Sequence, residues 1–202
     1  MVFLIAVVAN GASFETRATE LNKGAIEKAA GTQATVQGEV VRIGWKRDDV
    51  AVKVDGMPFP PAAGLGSWAA FKPVGKGQDA MVMGDTVVFQ DEVDAAMDAS
   101  FAHGLNVTAL HNHFFYDEPK VYFMHIGGHG PAIELATAVK SVWDAIKDVR
   151  ATNAEPDTRF AGTPPKAGGK IDVQNINDIT GRVRNWLSIA IRSCLSVSAP
   201  FV

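Results

Sequence analysis

The chain has 202 residues, 47% of them hydrophobic and 20% charged, a composition that fits one globular domain plus a fragment. The formal net charge is −3 and the sequence pI is about 5.9, and the basic residues are scattered along the chain. These values argue against nucleic acid or an anionic membrane as a partner. Because Cys194 is the only cysteine, an internal disulfide and a cysteine-based zinc site are excluded.

The N-terminal segment, residues 1–18, begins with the apolar run MVFLIAVVA. This run is too short to span a membrane, so we expect no transmembrane span. No Lys or Arg precedes Arg17, so the basic start of a signal peptide is missing. We interpret the segment as a remnant export signal or a buried first strand.

A helix and a strand pair open the main domain, which we place at residues 19–150. Thr19–Ala30 carries an apolar stripe at helical spacing, with Thr19 as its predicted N-cap and Gly31 as its end. Residues 34–55 then alternate between apolar and polar side chains, which predicts a hairpin that turns at residues 46–49. Asp55-Gly56 marks the next turn.

Two further strands follow a loop rich in proline and glycine at residues 57–66. The first strand, residues 67–72, begins with Ser67 and Trp68. The second, residues 80–90, contains Gly84 and Asp85, which predict a bulge or a close approach of backbone. Asp85 stands in an otherwise apolar strand, as either a ligand, an acid or base, or a solvated bulge residue.

Two helices complete the domain. Residues 91–103 predict a helix that ends at Gly104, with an inner stripe of Val93, Met97, Ser100 and Phe101. Pro131 begins a longer helix, whose apolar residues are Leu135, Val139, Val142, Ile146 and Val149. The order of elements predicts an α+β fold, a mainly antiparallel sheet with helices packed on it, ending β-α-β-β-α.

The histidines concentrate between these two helices, in residues 105–130. Side chains two apart on a strand share a face, so His111 and His113 project together. If residues 116–120 form the loop of a hairpin, Phe115 pairs with Val121 and His111 lies opposite His125. If the loop is 116–119, His111 lies opposite Met124 and His125 turns away, because a slip of one residue reverses the faces. We favour the first register, which places three imidazoles together.

Three imidazoles with one carboxylate form a ligand set for a transition metal, and few carboxylates favour zinc or copper over calcium or magnesium. We predict a metal site formed by His111, His113 and His125. Glu118 is the predicted fourth ligand, and Asp85 and His129 are alternatives to it. An open coordination position would suit hydrolysis, but no reaction is specified by the sequence.

A second hypothesis is a ligand-binding module without chemistry, for a small molecule or a cell-envelope glycan, lipid or peptide. The loop 57–66 and aromatic residues would line its pocket. The predicted pocket residues are Asp85, Ser67, Trp68, Tyr122 and His129, with Phe114 and Phe115 beside them. A third hypothesis is an interaction domain in which the histidines only satisfy a core.

The C-terminal part contains a linker, residues 151–170, rich in proline and glycine, and then residues 171–202. Residues 171–181, IDVQNINDITG, echo residues 21–31, LNKGAIEKAAG, in an aliphatic first position, Ile at the sixth and Gly at the eleventh. We interpret residues 171–202 as a truncated or divergent start of a second copy. The apolar side chains of Trp186, Leu187, Ile189 and Ile191 would dock on the first domain or join copies in a homo-oligomer.

Several motifs together resemble the LppY/LpqO family. The motifs are VQGEV at 36–40, VAVKVDG at 50–56, PPAAGLGSWAAFKP at 60–73, AMVMGDTVVFQDEV at 80–93, NVTALHNHFF at 106–115 and EPKVYFMHIGGHG at 118–130. The resemblance covers roughly residues 20–150. It implies a bacterial protein outside the cytoplasm, periplasmic or secreted, built on a domain of unknown function that often occurs in tandem. It implies no established reaction. This chain differs in its short second copy and in lacking a clear lipobox.

Overall fold

A computed structural model describes residues 20–157 and 172–180. The predictions for residues 1–18, most of the linker and the C-terminal tail lie outside these residues. Residues 20–157 belong to one compact unit, and residues 172–180 to another. No helix in the described part of the chain is long and apolar enough to cross a membrane.

Helices and strands alternate irregularly along the chain. The helices are α1 Lys23–Ala30, α2 Val93–Ala102, α3 Ala132–Thr152 and α4 Val173–Thr180. The strands are β1 Ala34–Gln37, β2 Val40–Lys46, β3 Val52–Val54, β4 Met57–Phe59, β5 Gly66–Pro73, β6 Asp79–Phe89, β7 Asn106–His111, β8 Asp117–Glu118 and β9 Val121–Pro131. All strand pairs in the described residues are antiparallel, which confirms the predicted α+β class.

The main sheet has six strands in the order β1-β2-β5-β6-β9-β7. The helices of the first unit pack on one of its faces, where the side chains of β6 and β9 alternate into the core. On this face Trp143 of α3 donates a hydrogen bond from Nε1 to the Thr86 hydroxyl of β6, at 3.3 Å. The predicted stripe of α3 is confirmed at Leu135, Val139, Val142 and Ile146, which are buried there, whereas Val149 is half-buried.

The opposite face of the main sheet is covered only at one end. A small sheet in the order β4-β3-β8 packs there over a separate apolar cluster that includes Val87 and Phe123. Beyond this cluster the face is open, and we call it the open face. It carries Asp85 and His125, both partly exposed.

One predicted turn, at residues 46–49, is wrong, and another, at Asp55-Gly56, is confirmed. The first hairpin joins β1 to β2 and turns at Gly38, whose φ of 61° suits glycine, so the predicted turn at residues 46–49 is wrong. The turn at Asp55-Gly56 is confirmed, with φ values of 52° and 75°. The predicted close approach of backbone at Gly84 is confirmed. A Cβ atom at this position would lie 2.7 Å from the carbonyl oxygen of Trp68 on β5.

Helix boundaries follow their capping residues. α1 begins after Asn22, whose side chain accepts a hydrogen bond from the Ala25 amide at 3.0 Å, so the predicted start at Thr19 is wrong. Its end at Gly31 is confirmed. On α2 the predicted inward position of Phe101 is wrong, because that side chain is 56% exposed and Ala96 is buried instead.

The helix α4 repeats the start of α1. Asp172 accepts a hydrogen bond from the Asn175 amide at 3.0 Å, the same spacing as Asn22 and Ala25. Both helices have eight residues. Within the described residues, 172–180 therefore repeat the capped helix of residues 22–30.

A buried ionic network lies where the sequence predicts a turn. Arg47, which is fully buried, pairs with the buried Glu92 at 2.8 Å and with Asp49 at 2.9 Å. Glu92 also pairs with Arg150 of α3 at 2.7 Å. Burial opposes the charge on Arg47, but Glu92 and Asp49 outweigh this effect and raise the pKa of its guanidinium. The network ties the loop after β2 to the start of α2 and to α3.

We expect Glu92→Gln to lower the free energy of unfolding by about 3–5 kcal/mol, because it leaves buried guanidinium groups without their shared carboxylate. Urea unfolding of the two proteins measures the difference. Glu39→Gln, which breaks an exposed pair with Lys72, is the matched control and should cost less than about 1 kcal/mol. Equal losses in the two variants would contradict a structural role for the network.

Candidate metal centre

The register between β7 and β9 places the histidines. His111 pairs with Phe123 and Ala109 pairs with His125, with a bulge between Val107 and Ala109. Both predicted registers are wrong, since neither pairs His111 with Phe123. The favoured one is shifted by two residues, and a shift of two keeps every side chain on its face. His111 and His125 therefore share the open face, as diagonal neighbours.

His113 reaches the same place from beyond the strand. β7 ends at His111, yet the imidazole of His113 stacks on the buried ring of Phe123, with centroids 3.6 Å apart and planes at 9°. Its Nε2 lies 3.1 Å from Nε2 of His111. The predicted pairing of these two histidines is thus produced by packing on Phe123 and not by strand alternation.

His125 and Asp85 complete the group. They face each other directly across β6 and β9, and His125 Nε2 lies 3.8 Å from an Asp85 carboxylate oxygen. The ring of His125 meets that of His111 edge-on, with centroids 4.8 Å apart and planes at 87°. We call His111, His113, His125 and Asp85 the histidine centre.

Asp85 is electrostatically unusual. Burial raises the pKa of its carboxyl, and the histidines His125, His113 and His111 oppose this effect only in part. Its Oδ1 atom is buried and has no hydrogen-bond partner in the described residues. A carboxyl group whose pKa is shifted by burial and by neighbouring imidazoles is a candidate for a functional site.

Two predicted metal ligands lie elsewhere. Glu118 is on β8, exposed, and pairs with Lys53 of the small sheet. His129 is exposed on the same face as His125, but four residues along an extended strand separate them by about 13 Å. Asp85 is therefore the carboxylate that the fold brings to the three histidines.

The predicted pocket residues divide between the two faces of the main sheet. Trp68 pairs with Asp85 and lies on the open face, with the guanidinium of Arg42 4.4 Å from its ring centroid. Ser67 is buried on the other face, where its hydroxyl accepts a hydrogen bond from the Val87 amide at 3.0 Å. Tyr122 packs against the helix-side core. Ser67 and Tyr122 therefore cannot line one pocket with Trp68.

The aromatic pair beside the centre is also divided. Phe114 packs edge-on against Phe59 of β4, with centroids 5.0 Å apart, whereas Phe115 is 88% exposed. Only Phe114 therefore contacts the segment of residues 57–66 that was predicted to line a pocket.

The histidine centre is not a finished coordination sphere. In the described part of the chain, no three His, Cys, Asp or Glu side chains stand so that they could hold a metal ion. The Nε2 atom of His125 lies 3.8 Å from Asp85, and its ring meets that of His111 edge-on.

Fold and site together define a mainly antiparallel α+β domain with a cluster of three imidazoles and a carboxylate on an open sheet face. A family model described as Domain of Unknown Function (DUF1259) matches residues 24–145, and the chain belongs to this family. Comparison with curated proteins and with solved structures gives no match.

The raised pKa of Asp85 predicts a pH effect on the metal-free protein. The folded chain keeps the Asp85 proton to a higher pH than the unfolded chain does, so stability falls as pH rises from the ordinary carboxyl pKa through the raised one. In chelator, Asp85→Asn should remove this fall. It should be more stable than wild type at neutral pH, and the difference should disappear as pH falls below the ordinary carboxyl pKa.

Urea unfolding at several pH values measures this effect. Asp98→Asn, at an exposed carboxylate of α2, is the control and should follow wild type. A wild-type profile that Asp85→Asn leaves unchanged would contradict the assigned burial of Asp85.

Proposed function

We propose that this protein binds a transition metal, zinc or copper, through His111, His113 and His125, with Asp85 as the associated carboxylate. The observation that carries the proposal is the 3.1 Å separation of the Nε2 atoms of His111 and His113. Metal–nitrogen bonds of about 2.0–2.1 Å at tetrahedral angles place two ligand nitrogens about 3.3 Å apart. An ion shared by the two imidazoles therefore needs little change in the distance between these nitrogens, but the rings must turn from the hydrogen bond that joins them to face the ion.

The third ligand needs a rotation, which its surroundings permit. The side chain of His125 is 43% exposed, so its ring can turn from Asp85 toward His111. His113 is fixed by its stack on Phe123, which reduces the entropy lost when an ion binds. His111 and His113 thus lie close together before an ion binds, and His125 turns toward them.

Asp85 fits the role of a carboxylate that supports a metal-bound histidine. Such carboxylates accept a hydrogen bond from the second ring nitrogen or neutralise charge near the ion. A cation close to Asp85 would also compensate its buried oxygen, which has no hydrogen-bond partner in the described residues. Three neutral nitrogens with one carboxylate favour zinc or copper over calcium and magnesium.

Three protein nitrogens would leave the fourth coordination position of a zinc ion for water. The ion would lower the pKa of that water and so favour hydrolysis. The exposure of His113 gives solvent and a substrate access to this position. Asp85 would then accept or return the proton, since burial already raises the pKa of its carboxyl.

A second candidate is a ligand-binding module without a metal. The observation that favours it is the pair of Arg42 and Trp68 on the open face, adjacent to Asp85. A guanidinium stacked on an indole is suited to a ligand that carries a carboxylate or phosphate. A protein of this kind would bind its ligand equally well in the presence of a chelator.

The location outside the cytoplasm is also a proposal, supported by the sequence resemblance to the LppY/LpqO family. Fractionation of cells that express the full gene product tests it. Recovery with periplasmic or secreted proteins is expected, and recovery only with cytosolic proteins would contradict it.

Elemental analysis of the purified protein tests the metal proposal. We expect about one zinc or copper per chain after exposure to the metal and removal of excess. His113→Ala should weaken binding by more than the roughly 10–100-fold that is typical for loss of a supporting residue. Circular dichroism should show that the variant remains folded.

His103→Ala is the matched control, because His103 lies at the end of α2 and outside the histidine centre. It should retain wild-type metal content. Absence of bound zinc and copper in the wild-type protein, or equal losses in the two variants, would refute the proposal and favour the ligand-binding candidate.

A further inference from the structure

A second group of metal-binding side chains lies on the open face, away from the histidine centre. Met81 of β6 pairs directly with His129 of β9, and Met83 follows two residues after Met81 on the same face. We call Met81, Met83 and His129 the thioether strip. None of the three belongs to the histidine centre.

Strand pairing brings these side chains within reach of one ion. Directly opposed residues have Cβ atoms about 4.5–5.5 Å apart, so Met81 and His129 are in contact range. Met83 is a diagonal neighbour of His129 at about 7–8 Å, a distance that a long side chain spans. Its direct partner is Gly127, which has no side chain to block the approach.

The exposure of the strip is unusual for its composition. Methionine is usually a core residue, yet Met83 is 59% exposed and Met81 is partly exposed. His129 is exposed, and no hydrogen bond or ion pair holds its imidazole within the described residues. Two thioethers and an imidazole are therefore available to a ligand from solution.

The chemistry of the donors selects the ion. Thioether sulfur is a soft ligand that prefers Cu(I), and an imidazole is compatible with the same ion. Two neutral sulfurs and one nitrogen do not stabilise a hard divalent cation such as Mg²⁺ or Ca²⁺.

The charges around the strip do not oppose a cation. Lys72 pairs with Met81 from β5, but its ammonium lies 3.4 Å from the carboxylate of Glu39. Asp79 and Asp85 flank the strip along β6, on the same face. Arg42 is in register with Met83 across Ala70, with its guanidinium over the Trp68 ring. The carboxylates of Glu39, Asp79 and Asp85 therefore offset the two nearby positive charges, Lys72 and Arg42.

We infer that Met81, Met83 and His129 form a Cu(I) site separate from the histidine centre. The inference does not depend on the proposed function, because the two groups share no residue. The ion binds through lone pairs of sulfur and nitrogen, with no change of oxidation state.

Titration with Ag(I), a soft monovalent ion that resists air oxidation, tests the site on the full chain. Binding is followed by calorimetry and by the NMR signals of methionine methyl groups. We expect the Met81 and Met83 methyls to shift together with the His129 ring. The double variant Met81→Leu/Met83→Leu, which conserves volume, should weaken Ag(I) binding at this site at least about tenfold.

Met57→Leu is the matched control, since Met57 is 66% exposed but lies on β4 of the small sheet. Met57→Leu should leave Ag(I) binding unchanged. His113→Ala should leave the NMR shifts of Met81, Met83 and His129 on Ag(I) binding unchanged. Loss of those shifts in Met57→Leu, or unchanged Ag(I) binding in the double variant, would overturn the inference. If His113 still responds to zinc in the double variant, the thioether strip and the histidine centre are independent sites.

Discussion

The antiparallel pairing of β6 with β9 is the contact on which the rest of the structure depends. Each strand contributes eleven residues, and alternate side chains serve different purposes. Those that face the helices, such as Val82 and Ile126, build the main core. Those on the other face place Asp85 opposite His125 and Met81 opposite His129. A slip of one residue would therefore reverse both the core and the candidate sites.

Burial around this ladder makes the open face chemically distinctive. The small sheet covers Phe123 and so provides the flat ring on which His113 stacks. Asp85, on the same face, is partly buried, and its Oδ1 atom has no hydrogen-bond partner in the described residues. Elsewhere the chain pairs its buried charges, as Arg47 does with Glu92. Asp85 is compensated only in part, by His125 at 3.8 Å, and for this reason we propose a functional role for it.

Local patterns in the sequence predicted the α+β class, the α3 stripe, the Asp55-Gly56 turn and the shared face of His111 and His125. These features depend on residue period and turn chemistry, which are local properties. The exact register was not predictable, because the bulge after Val107 and the pairing of β8 with β3 change the hairpin loop. The sequence predicts Asp85 as a ligand, acid or base and as a pocket residue, but it does not place Asp85 opposite His125, because that position depends on pairing between strands far apart in sequence. The sequence predicts a turn at Arg47 and gives no sign of its buried ion pair, because its partner Glu92 lies 45 residues away.

The central claim is that His111, His113 and His125 act together as ligands of one ion. Nitrogen-15 NMR of the imidazole rings during a zinc titration tests it most directly, because each ring nitrogen reports separately on metal binding. We predict that Nε2 of His111 and His113 responds first and in equal proportion to zinc, that a His125 nitrogen follows, and that His103 does not respond. Equal, weak responses from all the histidines, or no response at one equivalent of zinc, would contradict the account.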